Sequence, residues 1–265
     1  EELEFRTLWN KIAGGQSNKN KKPAQGSLFG DDNQETNAPA ASSKKTLQDV
    51  PHQYFLVESS QALDSLAADL SVSKEFCVDT ETSGLDVWNA EMVGLAFSFK
   101  PGEAYYVPVP KHQKEAKEIV LRFKNVLTDP GILKIGQNLK FDYLMLKRYG
   151  VEMQGPFFDT MVAHHLVQPG LKHNMDYLAE TYLDYTPVPI ENLIGAKGKN
   201  QGNMRHIDPK EVTEYAGEDA DVTLQLKKPL QKELEDYKVD GLFSDVEMPL
   251  VKVLAEMEHT GVAID

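Results

Sequence analysis

The chain has 265 residues, enough for one large domain or two small ones, and 41% hydrophobic content suffices for a proper core. A formal charge of −13 argues against a broad basic face that grips duplex DNA, while leaving room for a nucleic-acid end held in a cleft by stacking and a few local cations. The longest apolar runs, 93–99 and 105–109, are far shorter than the roughly 20 residues of a bilayer helix, and the single cysteine, Cys77, excludes an internal disulfide and fits a reducing compartment.

The opening residues have neither an initiator Met nor the pattern of a signal peptide, so the chain is expected to be an excised fragment. In residues 3–13, Leu3, Phe5, Leu8, Trp9 and Ile12 recur at helical spacing, as in the last helix of something upstream. The Gly, Ser, Asn, Lys, Gln and Pro stretch that follows, to about residue 45, has linker composition. Order resumes with a strand at 53–57 and a helix at 59–70, where Leu63, Leu66 and Leu70 form a stripe and Ser59 or Ser60 a cap. The run from Phe76 to Asp86 then delivers Asp79 and Glu81 into a turn. Alternation along a strand puts Cys77, Asp79 and Glu81 on one face. Two carboxylates that close disfavour ionisation unless a cation sits between them, so the pair is a candidate hard-metal site; the plainer reading is an edge strand ending in water.

A hairpin at 91–99 and 104–109 completes an antiparallel meander. A helix at 113–127 stops at Asp129-Pro130-Gly131, and a short buried strand at 132–136 hands over to a helix at 139–149. Phe157-Phe158 leads into a helix at 159–167, and another covers 175–182. A long loop holds Pro187, Pro189 and 195–203. Pro209 opens a long helix through Leu226 with a bend near Pro229, and a last helix covers 245–259. The expected fold class is α/β, one mixed sheet flanked by helices.

Asp142 falls in the first helical turn after Gly136-Gln137-Asn138, at a strand-to-helix junction where open α/β sheets place ligands. Its plainer role is an acid at a helix N-terminus. Tyr215 and Asp219, four apart, share a helix face, and Ala216, Gly217 and Ala220 let a neighbour or substrate approach. Glu218 and Asp221 read as an exposed acidic face.

D-x-E on a strand, N-x-x-x-D entering a helix and Y-x-x-x-D within a later helix together resemble the exonuclease motifs of the DEDD superfamily, tyrosine subclass. The stretches Val78-Asp79-Thr80-Glu81-Thr82, Gly136 to Asp142, Phe158-Asp159-Thr160-Met161 and Tyr215 to Leu226 are similar to the 3′-5′ proofreading domain of bacterial DNA polymerase I, family A, over about residues 50–235. The resemblance implies a ribonuclease H-like fold, an antiparallel meander followed by parallel strands. It implies that Asp79, Glu81, Asp142 and Asp219 bind two divalent ions, Mg²⁺ or Mn²⁺, and that Tyr215 orients the attacking water. It also implies a tail of a 5′-nuclease domain at 1–13, a linker at 14–48, the exonuclease at 49–238 and the start of a polymerase domain at 239–265. The expected partners are a single-stranded DNA 3′ end and the polymerase of the same full-length chain, in a monomeric, cytoplasmic, nucleoid-associated bacterial protein with no membrane. Oxygen-only ligands suit Mg²⁺ or Mn²⁺, and an ordinary tyrosine is a poor base at neutral pH. Thr82, Leu85, Gln137 and Asn138 are the expected substrate contacts. Lys140, Lys197, Lys199 and Arg205 are candidates to meet phosphates. The rival readings are a 3′-5′ exoribonuclease and a non-catalytic scaffold.

Overall fold

The computed structural model describes residues 44–198 and 201–263. The expected tail at 1–13, most of the expected linker and Lys199 lie outside the described residues. Residues 44 and 45 of that linker are held on the body: the Lys45 N–H donates to the Asp184 carbonyl at 3.0 Å, and Lys44 meets Glu180 at 2.6 Å.

A six-stranded sheet runs in the order β1-β4-β3-β2-β5-β6. Its strands are β1 (Gln53–Leu56), β2 (Glu75–Thr82), β3 (Met92–Lys100), β4 (Glu103–Pro108), β5 (Leu133–Gly136) and β6 (Phe157–Asp159). The β2-β3-β4 meander is antiparallel, whereas β1 joins β4, β5 joins β2 and β6 joins β5 in parallel. The expected mixed sheet is thus present, with β6 as a strand where only a lead into a helix was anticipated; three residues are too few to show an alternation.

Helices cover the sheet: α1 (Ser60–Val72), α2 (Gln113–Arg122), α3 (Lys124–Leu127), α4 (Leu139–Arg148), α5 (Thr160–Val167), α6 (Met175–Tyr182), α7 (Glu191–Ile194), α8 (Pro209–Asp236), α9 (Asp240–Leu242) and α10 (Met248–Thr260). Ser59 caps α1, its hydroxyl accepting the Ala62 N–H at 3.2 Å. The expected helix at 113–127 divides at Phe123, whose ring is wholly buried against Phe97 at a 4.9 Å centroid separation. Helix α8 runs unbroken through Pro229 to Asp236, and a π turn (Phe243–Glu247) leads into α10.

One geometric fact of the sheet matters most for function. β5 pairs with β2 only from Glu75 to Cys77, so beyond Cys77 that edge of β2 has no strand partner while the other edge stays paired to β3 through Thr82. A crevice opens there at the carboxyl ends of the parallel strands, and α4 enters beside it.

Long helix α8 crosses β1 to β4, and its small residues explain the close approach. A Cβ added at Gly217 would stand 2.7 Å from Tyr54 Cγ, so the glycine accommodates β1 rather than a substrate. The neighbouring acids are buried. Glu218 accepts hydrogen bonds from the Tyr185 hydroxyl and the Val188 N–H, and Asp221 from the Tyr54 hydroxyl at 3.0 Å, the Gly102 N–H at 2.9 Å and Gln225 at 2.9 Å. The exposed acidic face expected for this pair is therefore corrected, because both carboxylates face the sheet edge and the 185–188 loop.

Gly217→Ala sets a gain in helix propensity of about 1 kcal/mol against overpacking of about 1–3 kcal/mol at the near end of the Tyr54 side chain. Urea unfolding is expected to show a net loss of stability; an unchanged or higher midpoint would mean that Tyr54 yields freely.

Candidate active site

Alternation along β2 brings Cys77, Asp79 and Glu81 to one face, opposite Ser98, Ala96 and Gly94 of β3. The small partner of Glu81 makes way for an aromatic ring: a Cβ at Gly94 would stand 2.2 Å from Tyr106. Glu81 is 7% exposed and Asp79 half-buried. Asp142, 2% exposed, reaches β2 from α4: its Oδ1 accepts the Thr80 N–H at 3.0 Å and the Thr80 hydroxyl at 2.6 Å. The Thr80 amide is available because β5 has already parted from β2. Asp219 comes from α8, one helical turn after Tyr215, whose hydroxyl lies beside it. Three separate elements thus converge on one crevice.

The electrostatics follow from burial without counter-charge. Burial raises the Asp79 carboxyl to about 6. Glu81 is raised by burial, then by Asp79, Asp219 and Asp142; Asp142 by burial and then Asp79, against the two Thr80 hydrogen bonds; Asp219 by burial, Asp79 and Glu218, against Tyr215. The leading influences are fellow carboxylates, not a lysine or arginine. Burial, Asp219, Glu81 and Asp79 raise the Tyr215 hydroxyl, which stays protonated at neutral pH and acts as a donor rather than a base.

Two oxygens of the set, Glu81 Oε1 and Asp219 Oδ1, are buried without a hydrogen-bond partner. An orphaned carboxylate oxygen among other carboxylates is costly, and a hard divalent cation with its preference for oxygen donors is the chemistry that offsets it. The donor set fits such an ion. The fit is one of donor chemistry: among the described residues, no group of three or more His, Cys, Asp or Glu side chains is arranged to hold a metal ion.

The expected substrate contacts divide. The Thr82 hydroxyl donates to the Gly84 carbonyl at 2.8 Å, bracing the turn after β2, and Leu85 is 93% exposed, which rules out a core role. Gln137 is engaged at both ends of its amide, accepting from the Thr160 hydroxyl and donating to the His173 carbonyl at 2.7 Å. Asn138 is exposed, with the left-handed backbone of φ 64°. Arg205 is not free for phosphate: its guanidinium donates to the Val109 and Met92 carbonyls and lies 3.8 Å from Glu91, joining the loop before α8 to β3. Lys140 pairs with Glu258 of α10, and Lys197 is exposed. Two contributors were not anticipated. Thr80 alternates to the face opposite Asp79, and Asp159 stands in the sequence at a helix start, within the Phe158-Asp159-Thr160-Met161 stretch that carries the family resemblance, with no role of its own expected.

A family model described as 3′-5′ exonuclease matches residues 54–235. DNA polymerase I of Borreliella burgdorferi is 38% identical over 216 residues, 80% of this chain and 23% of that protein. DNA polymerase I of Pseudomonas aeruginosa is 34% identical over 223 residues, 80% of this chain and 24% of that protein. The chain thus spans about a quarter of the length of these relatives. Among solved structures, Brucella melitensis NrnC with bound Mg²⁺ superposes with a TM-score of 0.62 at 20% identity, covering 80% of this chain and 95% of that one. The catalytic core of RRP6 from Trypanosoma brucei gives 0.60 at 18% identity over 79% of this chain and 54% of that one. These two share the ribonuclease H-like fold. With the family match spanning the sheet, the crevice and α8, the chain belongs to the 3′-5′ exonuclease domain family of DNA polymerase I.

Proposed function

We propose that this chain removes nucleotides from the 3′ end of single-stranded DNA by phosphodiester hydrolysis, editing for a polymerase on the same full-length polypeptide. The observation that carries the reading is the set of four acids around one crevice, with Glu81 Oε1 and Asp219 Oδ1 buried and partnerless. Asp79, Glu81, Asp142 and Asp219 would hold two Mg²⁺ or Mn²⁺ ions. Such ions supply a nucleophile at neutral pH and offset charge on the attacking and leaving oxygens.

The chain's own groups do the rest. Tyr215, held neutral by its surroundings, donates a hydrogen bond that aims the attacking water. Thr80 fixes one oxygen of Asp142 and leaves the other for a ligand. Exposed Leu85 bears on the terminal base, and Thr82 and Asn138 border the strand. Gln137 braces the turn from within. In this reading residues 1–13 close a 5′-nuclease domain, 14–48 link it to the exonuclease at 49–238, and 239–265 open a polymerase domain. The protein is then a monomer of the bacterial cytoplasm acting at the nucleoid. Among the described residues, no helix is long and apolar enough to cross a membrane. The polymerase relatives favour DNA over RNA as substrate and an active domain over a scaffold.

Asp219→Ala is expected to lower hydrolysis of a 5′-labelled single-stranded oligonucleotide by roughly 10³-fold or more while far-UV circular dichroism is retained. An unaltered rate, or equal digestion of the matched RNA, would sink the DNA-editing reading.

The raised carboxyl groups also fix a pH dependence. Asp79 goes from its usual 3.8 to about 6 on folding, so the metal-free fold gains from its protonation at low pH and loses that gain as pH rises toward and through 6. Cation binding needs the deprotonated acids. The difference in Tm with and without Mn²⁺ is therefore expected to widen from pH 5 to pH 8; a difference that is flat or shrinks would contradict the assignment.

A further inference from the structure

Helix α4 carries Asp142 but does not cap itself. Asn138, at its N-cap position, has a left-handed backbone, and its side chain makes no capping bond. The turn before it is tightly placed: a Cβ at Gly136 would stand 2.4 Å from the Leu139 side chain and 3.3 Å from the Val78 carbonyl. The first amides of α4 are bound instead by a residue of another strand. Asp159 lies beside Gly136 in the parallel β5–β6 register, and each of these strands runs directly into a helix. The Asp159 Oδ2 accepts the Leu139 N–H at 2.7 Å, and its Oδ1 accepts the Asn138 N–H at 3.2 Å. The same Oδ1 caps α5, accepting Met161 N–H at 2.9 Å and Val162 N–H at 3.2 Å. The carboxylate is 1% exposed, so two helix N-termini converge on one desolvated anion.

We infer that Asp159 is a positioning residue for metal binding: by tying the start of α4 to the β6–α5 junction it sets where Asp142 stands relative to Asp79 and Glu81. Asp142 is less than one helical turn beyond Leu139, so a shift of the helix entry passes directly to its carboxylate. Capping α5 alone would need only the Oδ1 bonds to Met161 and Val162. The Oδ2 bond to Leu139 serves α4 and nothing else. The inference rests on the proposed assignment of the four acids as cation ligands.

Two variants separate positioning from capping. Asp159→Asn turns an NH₂ group toward the Leu139 N–H while its oxygen still caps α5. Asp159→Ser preserves a good local cap but is too short to reach α4. The readouts are Mn²⁺ titration calorimetry, circular dichroism and Tm, followed by digestion of single-stranded DNA across a Mn²⁺ series. Both variants are expected to stay folded and to bind Mn²⁺ roughly 10–100-fold more weakly. Their rates should approach wild type only at high Mn²⁺. Mn²⁺ binding equal to wild type with a lower Tm would reduce Asp159 to a structural cap and overturn the inference. So would failure of both variants to fold. A wild-type protein that takes up no Mn²⁺ would instead bring down the four-acid assignment, and the positioning role with it.

Discussion

Four carboxylates around one crevice, two buried and two half-buried, with no arginine or lysine among the leading influences on them, form the constraint on which the rest of the structure depends. Each is raised by its own desolvation and three of them further by their neighbours. No local propensity favours such an arrangement; it persists because rigid elements over-determine it. The β2–β3 ladder fixes Asp79 and Glu81, and the paired bonds from Thr80 fix Asp142. A helix lying across β1 to β4 fixes Asp219. The site is thus placed on strands and helices rather than on loops, as precise ligand geometry requires.

The acids of α8 show how position alone decides a carboxylate's fate. Glu218, Asp219 and Asp221 lie within one turn, and none is a surface acid. Glu218 and Asp221 are satisfied by tyrosine hydroxyls and backbone N–H groups, so they act as struts that lock the helix to β1, the 101–102 turn and the 185–188 loop. Asp219 retains an oxygen without a partner. The contrast is informative because the three share a sequence context and a helix, and differ in what surrounds their oxygens: Glu218 and Asp221 are buried and bonded, Asp219 is half-buried.

The same contrast explains what could be read in advance. The meander, the helices and the grouping of Asp79 with Glu81 follow from period-2 and period-3.6 patterning, which a single sequence displays directly. The tyrosine and aspartate four apart in α8 are equally visible. What escaped were long-range partners. Gly217 signals a close approach without saying by what, and the approach is by Tyr54; Arg205, a candidate to meet phosphate, is tied to carbonyls of β3 and the residue after β4. Strand β6 is too short to show a period, and the family-like stretch around Asp159 shows that the residue stands at a helix start but not that it reaches across to α4. In each case the deciding contact lies in another part of the chain, where neither composition nor spacing carries information about it.

Because the four acids come from a strand, a helix sixty-odd residues later and another helix still further on, the site cannot form in any partly folded segment. Under the proposed assignment, the four acids meet as ligands only when β2, the β5–α4 junction and α8 are all docked. Divalent-cation binding therefore couples to completion of the whole fold rather than to one element. In the metal-free protein the same coupling works in reverse. Repulsion among the acids opposes the last docking steps, and the hydrogen-bonded struts at Glu218 and Asp221, together with the buried carboxylate of Asp159, hold the elements in place against it. The polar network surrounding the crevice is thus what lets a destabilising set of charges exist in a folded chain at all.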